Sequence, residues 1–186
     1  MSIFLFTGAQ GTGKTTLLKR IVEELPDFKL VTNIARDLKT NNNIALNKQG
    51  NQESQQLIFD TLKRKLDENI SYDIIGDRGL TDVVAFSRYL HEQGKIDKDN
   101  YDKQLSKLKN WNNTNKQNCI YLYTPIEFPV VDDNTRSTDE EYRKSIDKYI
   151  YQFLQEDNVR FFTITGSVEN RLELVRNIIN NEIKSK

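Results

Sequence analysis

Eight residues near the start of the chain, Gly8-Ala9-Gln10-Gly11-Thr12-Gly13-Lys14-Thr15, satisfy G-x-x-x-x-G-K-[ST] and restrict the fold more than any other feature. The apolar run Ile-Phe-Leu-Phe over residues 3–6 leads directly into them. A stretch over 15–24 with Leu17, Leu18, Ile21 and Val22 on one face leads away. A strand that leaves through a glycine-rich turn into a helix must return over a sheet, so its next partner is a parallel strand. The glycines let backbone N–H groups wrap an anion at close range, and the helix adds its N-terminal amides and the positive end of its dipole. Such a phosphate-binding loop (P-loop) suits a nucleoside triphosphate. Lys14 is expected to reach the β- and γ-phosphates, the Thr15 hydroxyl to ligate Mg2+, and Thr16 to lie near the α-phosphate. Gly8, Gln10, Gly11, Thr12 and Gly13 complete the expected cradle. Lys14 is expected to face solvent, so that its loss spares the core.

The remaining pattern agrees with a parallel sheet. Short apolar runs over 28–31, 72–76, 120–123 and 159–164 alternate with amphipathic stretches over 53–67, 82–90, 99–108, 138–154 and from Ser167 onward. This predicts one α/β domain over residues 1–186: five strands, mostly parallel, with helices on both faces and the P-loop strand central. Thr138 and Glu141 have capping-box spacing. Ser167 is expected to cap a last helix with Leu172, Val175, Ile178, Ile179 and Ile183 inward. The segments 41–52 and 110–118, rich in Asn and Gln, read as a loop and a turn.

Composition narrows the function classes. Lys and Arg total 27 against 27 for Asp and Glu, a formal net charge of zero that excludes a strongly basic nucleic-acid coat at the whole-chain level. A single cysteine, Cys119, excludes an internal disulfide framework and a cysteine-rich zinc site, and its apolar neighbours predict a buried strand position. The one histidine, His91, reads as a solvated helix-end residue. No apolar run reaches the roughly 18–20 residues needed to span a bilayer, and no signal sequence opens the chain, so a soluble, intracellular protein is expected.

A second site stands out in Asp77-Arg78-Gly79-Leu80-Thr81-Asp82. The preceding strand delivers Asp77 to the carboxyl edge of the sheet, where open α/β folds bind ligands. An acid there can order Mg2+ or take a proton from an acceptor hydroxyl, and Arg78 can hold a phosphate or stabilise transferred charge. Asp82 is a weaker candidate, since the first turn of a helix favours an acid anyway. Arg136 and Arg143 flank the capping box and are placed to swing over a triphosphate. Trp111, Tyr123 and Phe128 are expected to pack in the core rather than stack on a base.

The order of strand, P-loop and helix, then Asp77-Arg78, then Asp133-Asn-Thr-Arg136, then Gly166-Ser167 with Arg171 one turn on, resembles a family of small P-loop kinases and ATPases. That family includes the kinase domain of bifunctional nicotinamide-riboside enzymes and is similar, more distantly, to thymidylate and deoxynucleoside kinases. The resemblance spans nearly the whole chain. It implies a three-layer P-loop NTPase fold, a lid over about 127–143, ATP as donor with Mg2+, and a γ-phosphate passed to a nucleoside, a nucleotide or a nucleoside-like acceptor. Arg36, Asp77, Arg78 and Asp82 would then face the acceptor, and Lys14, Asp77, Arg78 and Arg136 would carry the transfer. Asn33 stands where the family often has an acid, and Asn134 replaces the lid glycine. Two other functions stay open: a phage-type kinase acting on 5-hydroxymethyluracil or another modified base in DNA, kept in view by Lys103, Lys107 and Lys109, and a P-loop ATPase switch acting on a protein partner.

Overall fold

Strand β1 (Ile3–Thr7) sends alternate side chains to opposite sides of the sheet, and each set meets its own layer of helices. The computed structural model describes residues 1–129 and 139–184. Its five strands are β1, β2 (Lys29–Val31), β3 (Ile74–Gly76), β4 (Cys119–Tyr123) and β5 (Arg160–Thr163), all paired in parallel in the order β2-β3-β1-β4-β5. The P-loop strand is central, as the sequence predicts.

On one face Phe4, Phe6, Ile75, Ile120 and Leu122 pack against α1 (Lys14–Val22) and α7 (Val168–Lys184). On the other, Ile3, Leu5, Ile74, Cys119 and Tyr121 pack against α3 (Gln52–Glu68), α4 (Leu80–Glu92), α5 (Lys98–Thr114) and α6 (Glu140–Glu156). Because every strand runs the same way, all five carboxyl ends meet at one edge. The P-loop, residues 31–33, Asp77-Arg78, residues 124–128 and Gly166-Ser167 gather there.

Several expectations need correction. A helix α2 (Ile34–Asn42) and a 3-10 turn (Asn47–Gln49) occupy ground the sequence leaves without an element or assigns to a loop. Ile34 and Leu38 hold α2 against the core from one face only, and no α2 residue is fully buried. Helix α5 runs on to Thr114, because Trp111 and Asn112 are buried and reward the extra turn. Asp139, not Thr138, caps α6, its carboxylate accepting the Tyr142 N–H at 2.9 Å; Thr138 lies outside the described residues. Ser167 does cap α7, through the Asn170 N–H at 3.2 Å, but Ile183 is exposed rather than inward. His91 is half-buried, its ring stacked on Tyr101 and its Nδ1 2.9 Å from the Ile96 carbonyl. Cys119 is buried as expected, and burial pushes its thiol well above the ordinary range.

Candidate nucleotide and acceptor site

Backbone geometry makes the cradle. Gly8 has φ 143°, and a Cβ there would lie 2.3 Å from the Thr124 carbonyl oxygen, so no other residue fits between β1 and β4. Gly13, at φ 89°, turns the chain into α1 and leaves the first amides of that helix facing the loop's hollow. Lys14 departs from expectation. It is buried, its ammonium donating to the carbonyls of Gly8 (2.7 Å) and Ala9 and to Thr12 Oγ1 (3.1 Å). The loop curls around its own lysine because those carbonyls converge on the spot where a cation satisfies them.

Two arginines hold the loop from outside. Arg143 on α6, fully buried, donates through Nε to the Gln10 carbonyl (3.0 Å), through Nη2 to the Phe128 carbonyl (3.2 Å), and through Nη1 to Glu140 (2.6 Å). Arg171 on α7 donates to the carbonyls of Thr12 (2.8 Å) and Gly166 (2.9 Å) and pairs with Glu127. Arg143 is thus a strut beneath the loop, not an arm swung over it, because all three of its nitrogens are committed to protein acceptors. Arg136 lies outside the described residues, as do Asp133 and Asn134.

Asp82 also turns inward. It has no solvent exposure, and each carboxylate oxygen takes two donors: Thr7 Oγ1 (2.7 Å) and Gly79 N (3.1 Å) on one, Gly8 N (3.2 Å) and Arg78 Nη1 (3.0 Å) on the other. Its expected contact with the acceptor gives way to a structural one: it ties the end of β1, the first P-loop amide and Arg78 together. Arg78 lies in addition over the Phe86 ring, 5.3 Å from its centroid.

Asp77 differs in kind. It stands one residue past β3, its N–H bound to the Val31 carbonyl (3.1 Å), yet its buried Oδ1 has no hydrogen-bond partner among the described residues. It lines a cleft of about 210 Å³ together with Gln10 to Thr16 of the P-loop and helix α1, Arg36 and Lys39 of α2, and Arg78. Ile58, Leu62, Val83 and Phe86 form an apolar wall of the same cleft. Gln10, also buried, has both side-chain amide atoms unpartnered among the described residues. Asn33 occupies the N-cap position of α2 at φ 61° without a side-chain cap bond, in a left-handed conformation that asparagine adopts more readily than most residues. An unpartnered carboxylate oxygen on a residue lining the same cleft as Thr15 fits a magnesium ion, which takes few protein ligands and draws the rest from phosphate and water. No group of three or more acidic, His or Cys side chains able to hold a metal occurs among the described residues.

Sequence reasoning missed Lys39, because α2 was not seen, and Asp147. Asp147 on α6 accepts from Tyr123 Oη at 2.9 Å, and burial raises its carboxyl above the ordinary range against the opposing pull of the Ala9 and Ile126 amides and Lys14. Ile34 and Leu38 at i, i+4 with Asp37 in the first turn were the available signal for α2. Trp111 and Tyr123 are buried as expected, but Phe128 is exposed. It borders a second recess with Gly13, Gly166 and Arg171, the Arg171 guanidinium lying 5.2 Å from its ring centroid.

The sequence matches the AAA domain family over residues 3–171. The chain belongs to that family. No curated protein matches this AAA domain. Among solved structures it is similar to a deoxyadenosine kinase from M. mycoides with bound dATP (TM-score 0.64, 20% identity, 97% of this chain and 100% of that one). It is also similar to the NadR protein in complex with NAD and AMP-PNP (TM-score 0.72, 12% identity, 100% of this chain and 50% of that one). A third likeness is to the thymidylate kinase from Candida albicans (TM-score 0.60, 14% identity, 100% and 93%). At these identities the likeness establishes the three-layer α/β P-loop fold.

Proposed function

We propose that this AAA domain is an ATP-dependent phosphotransferase whose acceptor is a nucleoside, a nucleotide or a nucleoside-like small molecule. The observation that carries the reading is Asp77: a buried, unpartnered carboxylate oxygen in the same cleft as Lys14 and Thr15. An acid so placed suits Mg2+ binding or contact with an acceptor hydroxyl. The P-loop fixes the donor, and in-line transfer then places the acceptor on the far side of the γ-phosphate, toward Asp77, Arg78 and α2.

Each group has a task there. Lys14 exchanges the carbonyls of Gly8 and Ala9 for phosphate oxygens, and the P-loop amides hold the rest of the chain of phosphates. Thr15 and Asp77 would hold Mg2+, which when bound neutralises charge on the β- and γ-phosphates. Asp77 also lies where it can accept the proton of an acceptor hydroxyl. Arg78, steadied by Asp82, faces the charge that develops on transfer. Arg136 is assigned to the lid on its sequence position alone. The recess beside Phe128 and Gly166 suits the donor base, and the apolar wall of Ile58, Leu62, Val83 and Phe86 suits the planar body of the acceptor. The structural neighbours named as kinases of a deoxynucleoside and of thymidylate support this class of acceptor.

The test is a transfer screen with γ-labelled ATP over nucleosides, nucleoside monophosphates, nicotinamide riboside and duplexes containing modified bases. Label on a small acceptor is expected. ATP hydrolysis that occurs only when a protein partner is added would replace the kinase reading with a switch.

A further inference from the structure

The cleft is charged out of proportion to the chain. The protein carries no formal net charge, yet the ionisable side chains lining the cleft are Lys14, Arg36, Lys39 and Arg78 against the single acid Asp77. Lys14 belongs to the donor phosphates, and Arg78 is already paired with Asp82 at 3.0 Å. That leaves Arg36 and Lys39. They sit three residues apart on α2, so they share one helix face, while Asp37 between them is turned away and does not line the cleft. Neither cation has an acid partner among the described residues, whereas Lys48, Arg64, Arg88, Lys107 and Arg176 elsewhere on the surface each do. Arg36 stands in the first turn of α2, where the helix dipole is itself positive, and Lys39 lies one turn further along.

We propose that Arg36 and Lys39 form a binding site for a phosphomonoester on the acceptor, so that the acceptor is a nucleoside monophosphate or a similar phosphorylated small molecule rather than a neutral nucleoside. The proposal rests on the phosphotransferase reading and narrows it. Two unpaired cations match a dianion, and a phosphomonoester is mostly dianionic above its second pKa of about 6. The chemistry then balances without a base. A lone pair on a monoester oxygen attacks the γ-phosphorus, the bond to the β–γ bridging oxygen breaks, and that oxygen keeps the electron pair. The products are ADP and the acceptor diphosphate, and the attacking oxygen has no proton to lose. Arg36 and Lys39 neutralise the acceptor's negative charge, which otherwise repels the triphosphate it must approach. Lys39 is a specificity residue under this reading, and α2 the element that delivers it.

The experiment compares each nucleoside with its own 5′-monophosphate, and nicotinamide riboside with its mononucleotide, using γ-labelled ATP. The intact chain is assayed beside Arg36→Ala, Lys39→Ala, the double variant and Lys103→Ala as a charge-matched control on α5. Both target residues are exposed, so the variants are expected to melt with the parent. Monophosphates should be labelled in preference to nucleosides. Each single variant should raise KM for the monophosphate about tenfold, with kcat and ATP affinity near the parent and Lys103→Ala unchanged. Transfer to nucleosides alone, or a monophosphate KM within about twofold of the parent in the double variant, overturns the phosphomonoester site and leaves the kinase reading standing. Bound ATP whose label reaches water but no acceptor overturns both.

Discussion

Lys14 is held by carbonyls of its own loop, so its removal has two separable effects. Under the proposed phosphotransferase reading, Lys14→Ala deletes charge beside the transferring phosphoryl group, and a fall in kcat of about 10²–10³ is expected from steady-state kinetics. It also removes the ammonium from the carbonyls of Gly8 and Ala9, which keep only Arg78 Nη1 (3.4 Å) and Thr12 Oγ1 (3.1 Å), and denaturant melts should show a loss of about 1–2 kcal/mol. A variant as stable as the parent would mean that water replaces the ammonium at no cost. Asp77 has the opposite signature. Its Oδ1 is unpartnered among the described residues and Arg78 pairs with Asp82 instead, so Asp77→Asn breaks no ion pair. It is expected to lower kcat by about 10²–10⁴ while ATP affinity, read by calorimetry, stays near the parent value. Equal loss of both would make Asp77 a structural residue. Asp147 provides a pH test. Burial holds its carboxyl above the usual 3.8, so the folded chain keeps this proton more tightly than the unfolded one. Its contribution is present at low pH and is lost as pH rises through the raised value. Asp147→Asn stays neutral throughout, so its melting temperature relative to the parent should climb as pH rises above about 4. A difference that does not vary with pH would show that Asp147 titrates normally.

Among elements, α6 and α7 matter less as packing helices than as carriers of Arg143 and Arg171. Each delivers a buried guanidinium to a P-loop carbonyl, and each also grips the segment that follows β4, through the Phe128 carbonyl and Glu127. Loop and segment are therefore held as one body. Arg143→Ala should cost about 2–4 kcal/mol of stability, and it should raise KM for ATP with little change in KM for the acceptor, since its partners are Gln10, Phe128 and Glu140 rather than residues of α2 or α3. A matched rise in both constants would place Arg143 in general scaffolding. These contacts mark the limit of what the sequence discloses. The P-loop, the five strands, their parallel order and Asp77 at the sheet edge were legible, because period and spacing are local. Arg143 to Gln10 joins residues 133 apart, and no local pattern distinguishes a strut from a phosphate arm. Helix α2 was missed for a different reason. It is short, opens on Asn33 in a left-handed turn and buries no residue fully, so its apolar signal is two side chains long. The tail of α5 was read as a turn because its asparagines outvote Trp111, which tertiary burial then rescues.

At the scale of the whole molecule, charge decides between a small acceptor and a nucleic-acid polymer. Of the three α5 lysines that kept DNA in view, Lys107 is spent on the protein itself, pairing with Asp60 at 3.3 Å and lying over the Phe59 ring. Arg36 and Lys39 line the cleft on α2, where a duplex that followed them would bring its phosphates toward Asp77 as well. No helix among the described residues is long and apolar enough to cross a membrane, so a bilayer offers no alternative anchor through a helix of that kind. Binding to a polyanion is governed by the number of phosphates neutralised, and affinity falls with salt in proportion to that number. With Lys103 and Lys109 the members of that trio lacking an acid partner among the described residues, the chain is expected to leave an immobilised-duplex column at or below about 0.1–0.2 M salt, with a slope corresponding to about two phosphates or fewer. Arg36→Ala and Lys39→Ala should not shift its elution, because both act inside the cleft. Retention with a slope of several phosphates, weakened by either substitution, would move the acceptor from a free nucleotide to a base within DNA. The P-loop, Asp77 and the two buried arginines would keep the same tasks in either case, so the salt series bears on the acceptor and not on the transfer.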